Sequence, residues 1–314
     1  EAIYELDTER VSLNGQTPLF ENNGTGMDTF KTFNISTAAS IIAASGGIRM
    51  ARHGARAITS VCGTVDMAEA LGVDVECNAD VVAESIEKVG IGLFNGMSPR
   101  IHPKALGRIL SKTFFGTTLN IAASLASPCR PTHGLRGVYT EDMIGPAAAV
   151  MKAIGYQRAL IVHGFDNTGR QGMDELSNIG ASRVREIFPD GTENTFTLTP
   201  EDVGLPRRRY GEIAATGDTQ AEAVRFLRTL AGREQGACED ITCLNAGAIF
   251  YLVAPECALA EGIQKARALI REGHVLRKLS AWVRLQADAA GQGMQRFQAL
   301  AHKAGVASIE AGCR

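Results

Sequence analysis

Residues 135–165 constrain the fold more than any other stretch. "LRGVY" (135–139) and "RALIVHGF" (158–165) are apolar runs of strand length, and "MIGPAAAVMKAIG" (143–155) between them has helical spacing. Strand, helix and strand in so short a span form a βαβ unit, whose strands lie buried in a sheet. Other segments extend the pattern. The chain predicts a helix over 79–89 followed by a strand in "VGIGLFN" (89–95). The alternating, turn-bounded "SRVREIFPDGTENTFTLTP" (182–200) predicts an antiparallel strand pair. "NISTAASIIAAS" (34–45) predicts a helix starting near Ser36 or Thr37, and "VDMAEALGV" (65–73) a short helix ending at Gly72. Residues 219–231, 245–271 and 275–304 have helical spacing. "IRMARHGARAITS" (48–60) reads as a basic, polar patch, and no strand is evident ahead of the glycine-rich stretch 22–28. The expected fold class is α/β: a mixed central sheet flanked by helices, plus a smaller helical lobe.

Composition narrows the function. At 314 residues and 45% hydrophobic, the chain can bury a large α/β core. A formal net charge of -2 gives no basis for bulk attraction to nucleic acid, and no apolar run is long and clean enough to span a bilayer. The seven cysteines are scattered, odd in number and without a CxxC pair, which fits a reducing cytoplasm and argues against disulfides or zinc. The chain opens on Glu1, with no visible signal peptide.

Three constellations could carry chemistry. Gly24-Thr25-Gly26-Met27-Asp28, followed by Asn34-Ile35-Ser36-Thr37, could turn backbone N–H groups and a helix start toward an anion. The same residues equally fit a glycine turn and a capped helix. It is neither a P-loop nor a dinucleotide fingerprint. Arg52, His53 and Arg56, with Thr59 and Ser60, could form an anion pocket or a solvated basic face. Asp174-Glu175, after "HGFDNTGRQGM", could hold a water-rich Mg²⁺ or simply start a helix, with Asp166 a weaker candidate of the same kind. Cys62 beside Gly63 is a packing or wall residue unless a base is positioned against it. Together the three suit a phosphorylated or pyrophosphorylated substrate better than a plain hydrolase.

The string from Gly24 to Val73 resembles the anthranilate phosphoribosyltransferases and their relatives, the pyrimidine-nucleoside phosphorylases. It runs parallel to the family's GTGGD, NxST, KHGNR and SSxSGSxDxLEALG motifs. "HGFD…MDELS" (163–177), "TPEDVGL" (199–205) and "LNAGAIFYL" (244–252) continue the likeness to about Leu279. The resemblance implies Mg²⁺-dependent transfer of a 5-phosphoribosyl group from phosphoribosyl pyrophosphate to a small aromatic amine, in tryptophan biosynthesis, by a cytoplasmic homodimer. It implies donor binding by Gly24, Thr25, Gly26, Asp28, Asn34, Ser36, Thr37, Arg52, Ser60 and Thr64. Asp174 and Glu175, with Ser36, would hold the metal; Arg52, Asp174 and Glu175 would be catalytic. His53, His102 and Arg130 would face the acceptor, Arg130 meeting its carboxylate. It also implies a large α/β lobe over about 14–78 and 133–314 and part of a helical lobe over about 79–132. The family's amino-terminal helices are largely absent from this chain.

The chain departs from the pattern at Met27 (glycine in the family), Ala55 (asparagine) and "ASLASP" (123–128, GPLxNP in the family). These changes remove a polar group and reshape the acceptor side, so the expected acceptor is a small aromatic or heteroaromatic amine, such as anthranilate, that need not be anthranilate itself. Two rivals remain: a nucleoside phosphorylase, and a non-enzymatic relative that binds nucleic acid.

Overall fold

The computed structural model describes all residues except 16, 29, 58–61, 111, 114, 255, 289 and 307–314. Ser60, an expected donor ligand, and Thr59 lie outside the described residues.

An eight-stranded sheet organises the chain. Its strands are β1 (Leu19–Asn23), β2 (Arg49–Gly54), β3 (Ile91–Asn95), β4 (His133–Gly137), β5 (Arg158–Phe165), β6 (Gly172–Met173), β7 (Ser182–Ile187) and β8 (Glu193–Leu198). Their order is β3-β2-β1-β4-β5-β7-β8, with β6 also paired to β5. The first five strands of that order are parallel, and β7 and β8 close the sheet antiparallel. The βαβ unit is β4, helix Ile144–Ala153 and β5. Ile144, Ala147, Ala148 and Met151 of that helix bury against Val138, Ala159 and Ile161.

The other face is covered by helix Ile35–Ser45, whose alanines and isoleucines are almost wholly buried. Short side chains let it sit between the sheet and helix Ala237–Val253, with Leu259–Arg271 and His274–Leu285 packed outside. The long helical stretches of the carboxy-terminal third are thus divided. Residues 245–271 belong to two helices, the second restarted where Glu261 accepts the Ala258 N–H. Residues 275–304 break at Gln286, which turns a fully buried amide inward. It accepts from Trp282 Nε1 (2.9 Å) and Leu93 N (3.2 Å), and donates to the carbonyls of Leu93 (3.0 Å) and Asp74 (3.1 Å).

Two strands contradict the sequence reading. The glycine-rich stretch is preceded by β1, and the basic patch contains β2. Both were hidden by polar residues, Glu21-Asn22-Asn23 in one and Arg52 and His53 in the other, that the fold buries with partners from neighbouring elements. Residues 79–95, expected in the helical lobe, supply a helix and the edge strand β3 of this sheet. Helices Leu106–Leu110 and Thr118–Ala123 stand beyond the sheet's carboxyl ends.

Candidate functional site

Parallel strands end together, so the loops after β1, β2 and β3 meet above the sheet. There they enclose a cleft of about 210 Å³, also lined by Leu110, Gly116, Asn120, Ala123 and Ser124. Gly24 to Asp28, Asn34, Ser36, His53 to Ala57, Gly63, Thr64, Asp174 and Glu175 all line it.

The glycine-rich loop is built around Asp174. The Gly26 N–H donates to Asp174 Oδ2 (2.7 Å), and the Thr25 hydroxyl donates to the same oxygen (3.3 Å). A Cβ on Gly24 would lie 2.3 Å from that carboxylate, and Gly26 has φ +66, so the loop needs both glycines. The β5–β7 connection thereby delivers the predicted acidic pair to the loop after β1. Asp28 completes a cluster of three carboxylates. Burial first, then the Asp174 charge, pushes the Asp28 carboxyl up to about 8. Burial, Asp174 and Asp28 hold Glu175 well above the carboxylate range, against the pull of Arg52 and the Ser36 N–H. Like charges this close strongly favour a cation or a proton between them. Asp166 caps its own turn through Thr168, Arg170 and Gln171 and does not line the cleft.

Arg52 is corrected from direct phosphate ligand to scaffold. Its side chain is 1% exposed and does not line the cleft. Nη1 donates to Ser40 Oγ (2.8 Å), and Nη2 to Thr64 Oγ1 (3.2 Å), Ser36 Oγ (3.4 Å) and Thr37 Oγ1 (3.4 Å). Burial lowers its pKa to about 10, still fully charged at neutrality. The cation ties the helix start to the turn at Thr64, behind the cleft wall. Thr37 is likewise buried, joined to Arg52 and Asn34, and sits off the cleft wall. Asn34 reaches across to the Cys62 carbonyl (2.8 Å).

The Gly63 turn is held by a residue the sequence reading passed over. Asp66 accepts the N–H groups of Gly63 (2.9 Å) and Ala57 (2.8 Å) and a bond from Arg56 (3.1 Å). Arg56 also pairs with Glu69 (2.7 Å), so its guanidinium is engaged at the rim. The Cys62 thiol is pushed up to about 12 by burial, which removes it as a nucleophile and leaves it a wall residue.

Of the residues expected to face an acceptor, His53 lines the cleft, and His102 stands behind it with Nε2 to Nε2 at 3.0 Å. His102 Nδ1 lies 2.6 Å from the Asp7 carbonyl and so carries the proton there. Neutral His102 then accepts from His53 Nε2–H, which leaves the buried His53 Nδ1 as a lone pair without a hydrogen-bond partner among the described residues. Burial, then His102 and Arg136, depress the His53 pKa to about 3, so the ring stays neutral. Arg130 is a correction: its exposed side chain pairs with Glu1 (2.7 Å) and Glu5 (3.1 Å) and covers the Tyr4 ring, away from the cleft. The amino-terminal helix Ala2–Asp7 captures it, a contact no local motif reveals.

The residue types fit a divalent cation. The cluster offers only carboxylate oxygens, and the described residues contain no group of three or more His, Cys, Asp or Glu able to cage an ion. Mg²⁺ characteristically takes one or two carboxylates and completes its shell with water and substrate phosphates.

Comparisons with known proteins identify the family and the fold. Residues 16–276 match the family described as "Glycosyl transferase family, a/b domain". The anthranilate phosphoribosyltransferase of Alkalilimnicola ehrlichii is 36% identical over 284 residues, covering 90% of this chain and 80% of that protein. The enzyme of the same name from Methanothermobacter thermautotrophicus is 35% identical over 281 residues, covering 87% and 79%. The crystal structure of anthranilate phosphoribosyltransferase from Thermus thermophilus superposes with a TM-score of 0.79 at 32% identity, covering 91% of this chain and 82% of that one. In fold the chain also matches the Saccharomyces cerevisiae enzyme solved with PRPP and Mg, at TM-score 0.77 and 24% identity over 91% and 77% of the two chains.

Proposed function

The chain belongs to the glycosyl transferase family, among the anthranilate phosphoribosyltransferases, and on that footing we propose that it transfers a 5-phosphoribosyl group from phosphoribosyl pyrophosphate to a small aromatic amine. The observation that carries the reading is the convergence of Asp28, Asp174 and Glu175 beside a glycine loop, in a cleft with a neutral histidine on the acceptor side.

The residues divide the work. The loop 24–28, pinned by Asp174, and the turn 63–64, pinned by Asp66, offer backbone N–H groups to phosphate oxygens. Arg52 keeps the Ser36 helix start and Thr64 in register and adds positive potential from behind. Asp174 and Glu175 would hold Mg²⁺, which when bound neutralises charge on the pyrophosphate leaving group. Ser36 Oγ already meets Arg52, so its support of the metal runs through that contact and its N–H to Glu175. An aromatic amine is a neutral nucleophile, so the chain need only position it. His53, held neutral and oriented by His102, forms part of the wall against which the amine is positioned. Ala55 supplies no side-chain hydrogen bond and Met27 packs over Gly116, so the pocket differs from the family pattern in detail while the acceptor is a small aromatic amine such as anthranilate. The chain works as a homodimer, which light scattering would test through the molar mass.

A screen of aromatic amines with phosphoribosyl pyrophosphate and Mg²⁺, read as pyrophosphate release, tests the reaction. Metal-independent phosphorolysis of a nucleoside, without pyrophosphate release, would replace this reading with a nucleoside phosphorylase.

A further inference from the structure

The amino-terminal helix Ala2–Asp7 has no fully buried residue, so core packing alone does not hold it in place. Besides the Arg130 pairs, its last residue anchors it. Asp7 Oδ1 accepts the N–H of Lys104 (2.6 Å), and Oδ2 accepts those of Ala105 (2.9 Å) and Leu106 (2.6 Å), where helix Leu106–Leu110 begins. N–H groups at a helix start have no partner inside the helix, and a carboxylate there satisfies them. Burial pulls the Asp7 carboxyl up, but the three N–H bonds outweigh it and leave it below its ordinary value of 3.8. The group is therefore ionised at neutrality. Leu110, at the far end of the same helix, lines the cleft.

The Asp7 main chain makes a second attachment. Its carbonyl lies 2.6 Å from His102 Nδ1. The Thr8 hydroxyl lies 3.3 Å from the same nitrogen and donates its own hydrogen to the Ile3 carbonyl (3.0 Å). Both oxygens can only accept from the ring, so neutral His102 carries its proton on Nδ1 and leaves Nε2 bare. The bare nitrogen takes the His53 Nε2–H at 3.0 Å. Gly96, also on the cleft wall, closes in on the same edge of His53: a Cβ there would lie 2.8 Å from Nε2. His102 is 2% and His53 3% exposed, so water offers neither ring a substitute partner.

We propose that Asp7 is a positioning residue: by holding the chain at 104–106 and the Nδ1–H of His102, it sets the tautomer and orientation of His53 in the cleft wall, and with them the fit of the acceptor. The word acceptor rests on the transferase reading; the two tautomers do not.

The test combines pyrophosphate release, with anthranilate, phosphoribosyl pyrophosphate and Mg²⁺, and nitrogen NMR of the histidine rings in the full chain. In the wild type His102 should carry its proton on Nδ1 and His53 on Nε2. Asp7→Ala should raise the KM for anthranilate about tenfold, the size of one or two lost positioning bonds, with kcat and the donor KM within about twofold. In the same variant the His53 Nε2–H should exchange with water about tenfold faster. Asp7→Asn keeps a side-chain oxygen for the N–H groups and should restore most of the loss. An anthranilate KM unmoved by Asp7→Ala, or one that rises no more than the donor KM, overturns the proposal. If Asp7→Ala does not fold, the wild-type rings decide: His102 protonated on Nε2, or His53 on Nδ1, overturns it equally. The expected tautomers and faster exchange, with no pyrophosphate release from any amine, would instead count against the transferase reading alone.

Discussion

Replacing Asp174 by asparagine separates the two things this residue does. Asparagine keeps an oxygen for the Gly26 N–H, now 2.7 Å from Asp174 Oδ2, so the loop retains its anchor. What disappears is the charge that Asp174 sets against the carboxyl groups of Asp28 and Glu175. In the wild type Asp28 keeps its proton to about pH 8, against an ordinary value of 3.8. The folded chain therefore binds a proton that the unfolded chain releases, and stability falls as pH rises between those two values. At about 1.4 kcal/mol per pH unit the full effect is about 6 kcal/mol, and partial exposure of Asp28 brings it to about 3. Burial is the larger cause and the Asp174 charge the second, so Asp174→Asn recovers about 1 kcal/mol. For a chain of this size that is a rise in Tm of about 2 °C at about pH 8.5, with little change near pH 6. Mg²⁺ at about a hundred times its Kd should add about 2.7 kcal/mol to the wild type and far less to the variant. Thermal unfolding of both proteins at both pH values, with and without Mg²⁺, reads all of this. A variant that is less stable at high pH and gains as much from Mg²⁺ as the wild type would refute a repulsive, cation-binding cluster.

Asp174→Asn combined with Glu175→Gln should leave the circular dichroism spectrum unchanged and abolish metal-dependent pyrophosphate release; full activity would place the metal elsewhere. Arg52→Ala strands hydroxyls of Ser36, Ser40, Thr37 and Thr64, so donor titration should weaken about tenfold or more and Tm should fall, with Arg52→Lys intermediate. Asp66→Ala frees the Gly63 and Ala57 N–H groups and should raise the donor Kd with little effect on acceptor binding, as measured by calorimetry. Gln286→Leu leaves Trp282 Nε1 and the Leu93 amide without their acceptor and should destabilise the fold by about 2–4 kcal/mol in urea unfolding; a loss under about 0.5 kcal/mol would show that the interior rearranges to satisfy them.

Periodicity and turn chemistry are local properties, and they determined the βαβ unit around β4 and β5, the β7–β8 hairpin and the helix over 79–89. They also placed the glycine loop and Asp174-Glu175, because a loop that needs glycine and an acidic pair both leave marks in consecutive residues. Polar strands leave no such mark. β1 and β2 carry Glu21, Asn23, Arg52 and His53 into the interior, where each is tolerated only because hydroxyls, amides or a tyrosine arrive from distant segments. Tertiary structure alone decided which arginine serves which purpose. Arg130 and Arg136 are six residues apart and equally basic on paper. The amino-terminal helix draws Arg130 to Glu1 and Glu5 at the surface, whereas strand register draws Arg136 beneath the cleft wall. An ionic side chain's role depends on what its long stem can reach, and that is fixed by contacts more than a hundred residues away in the chain.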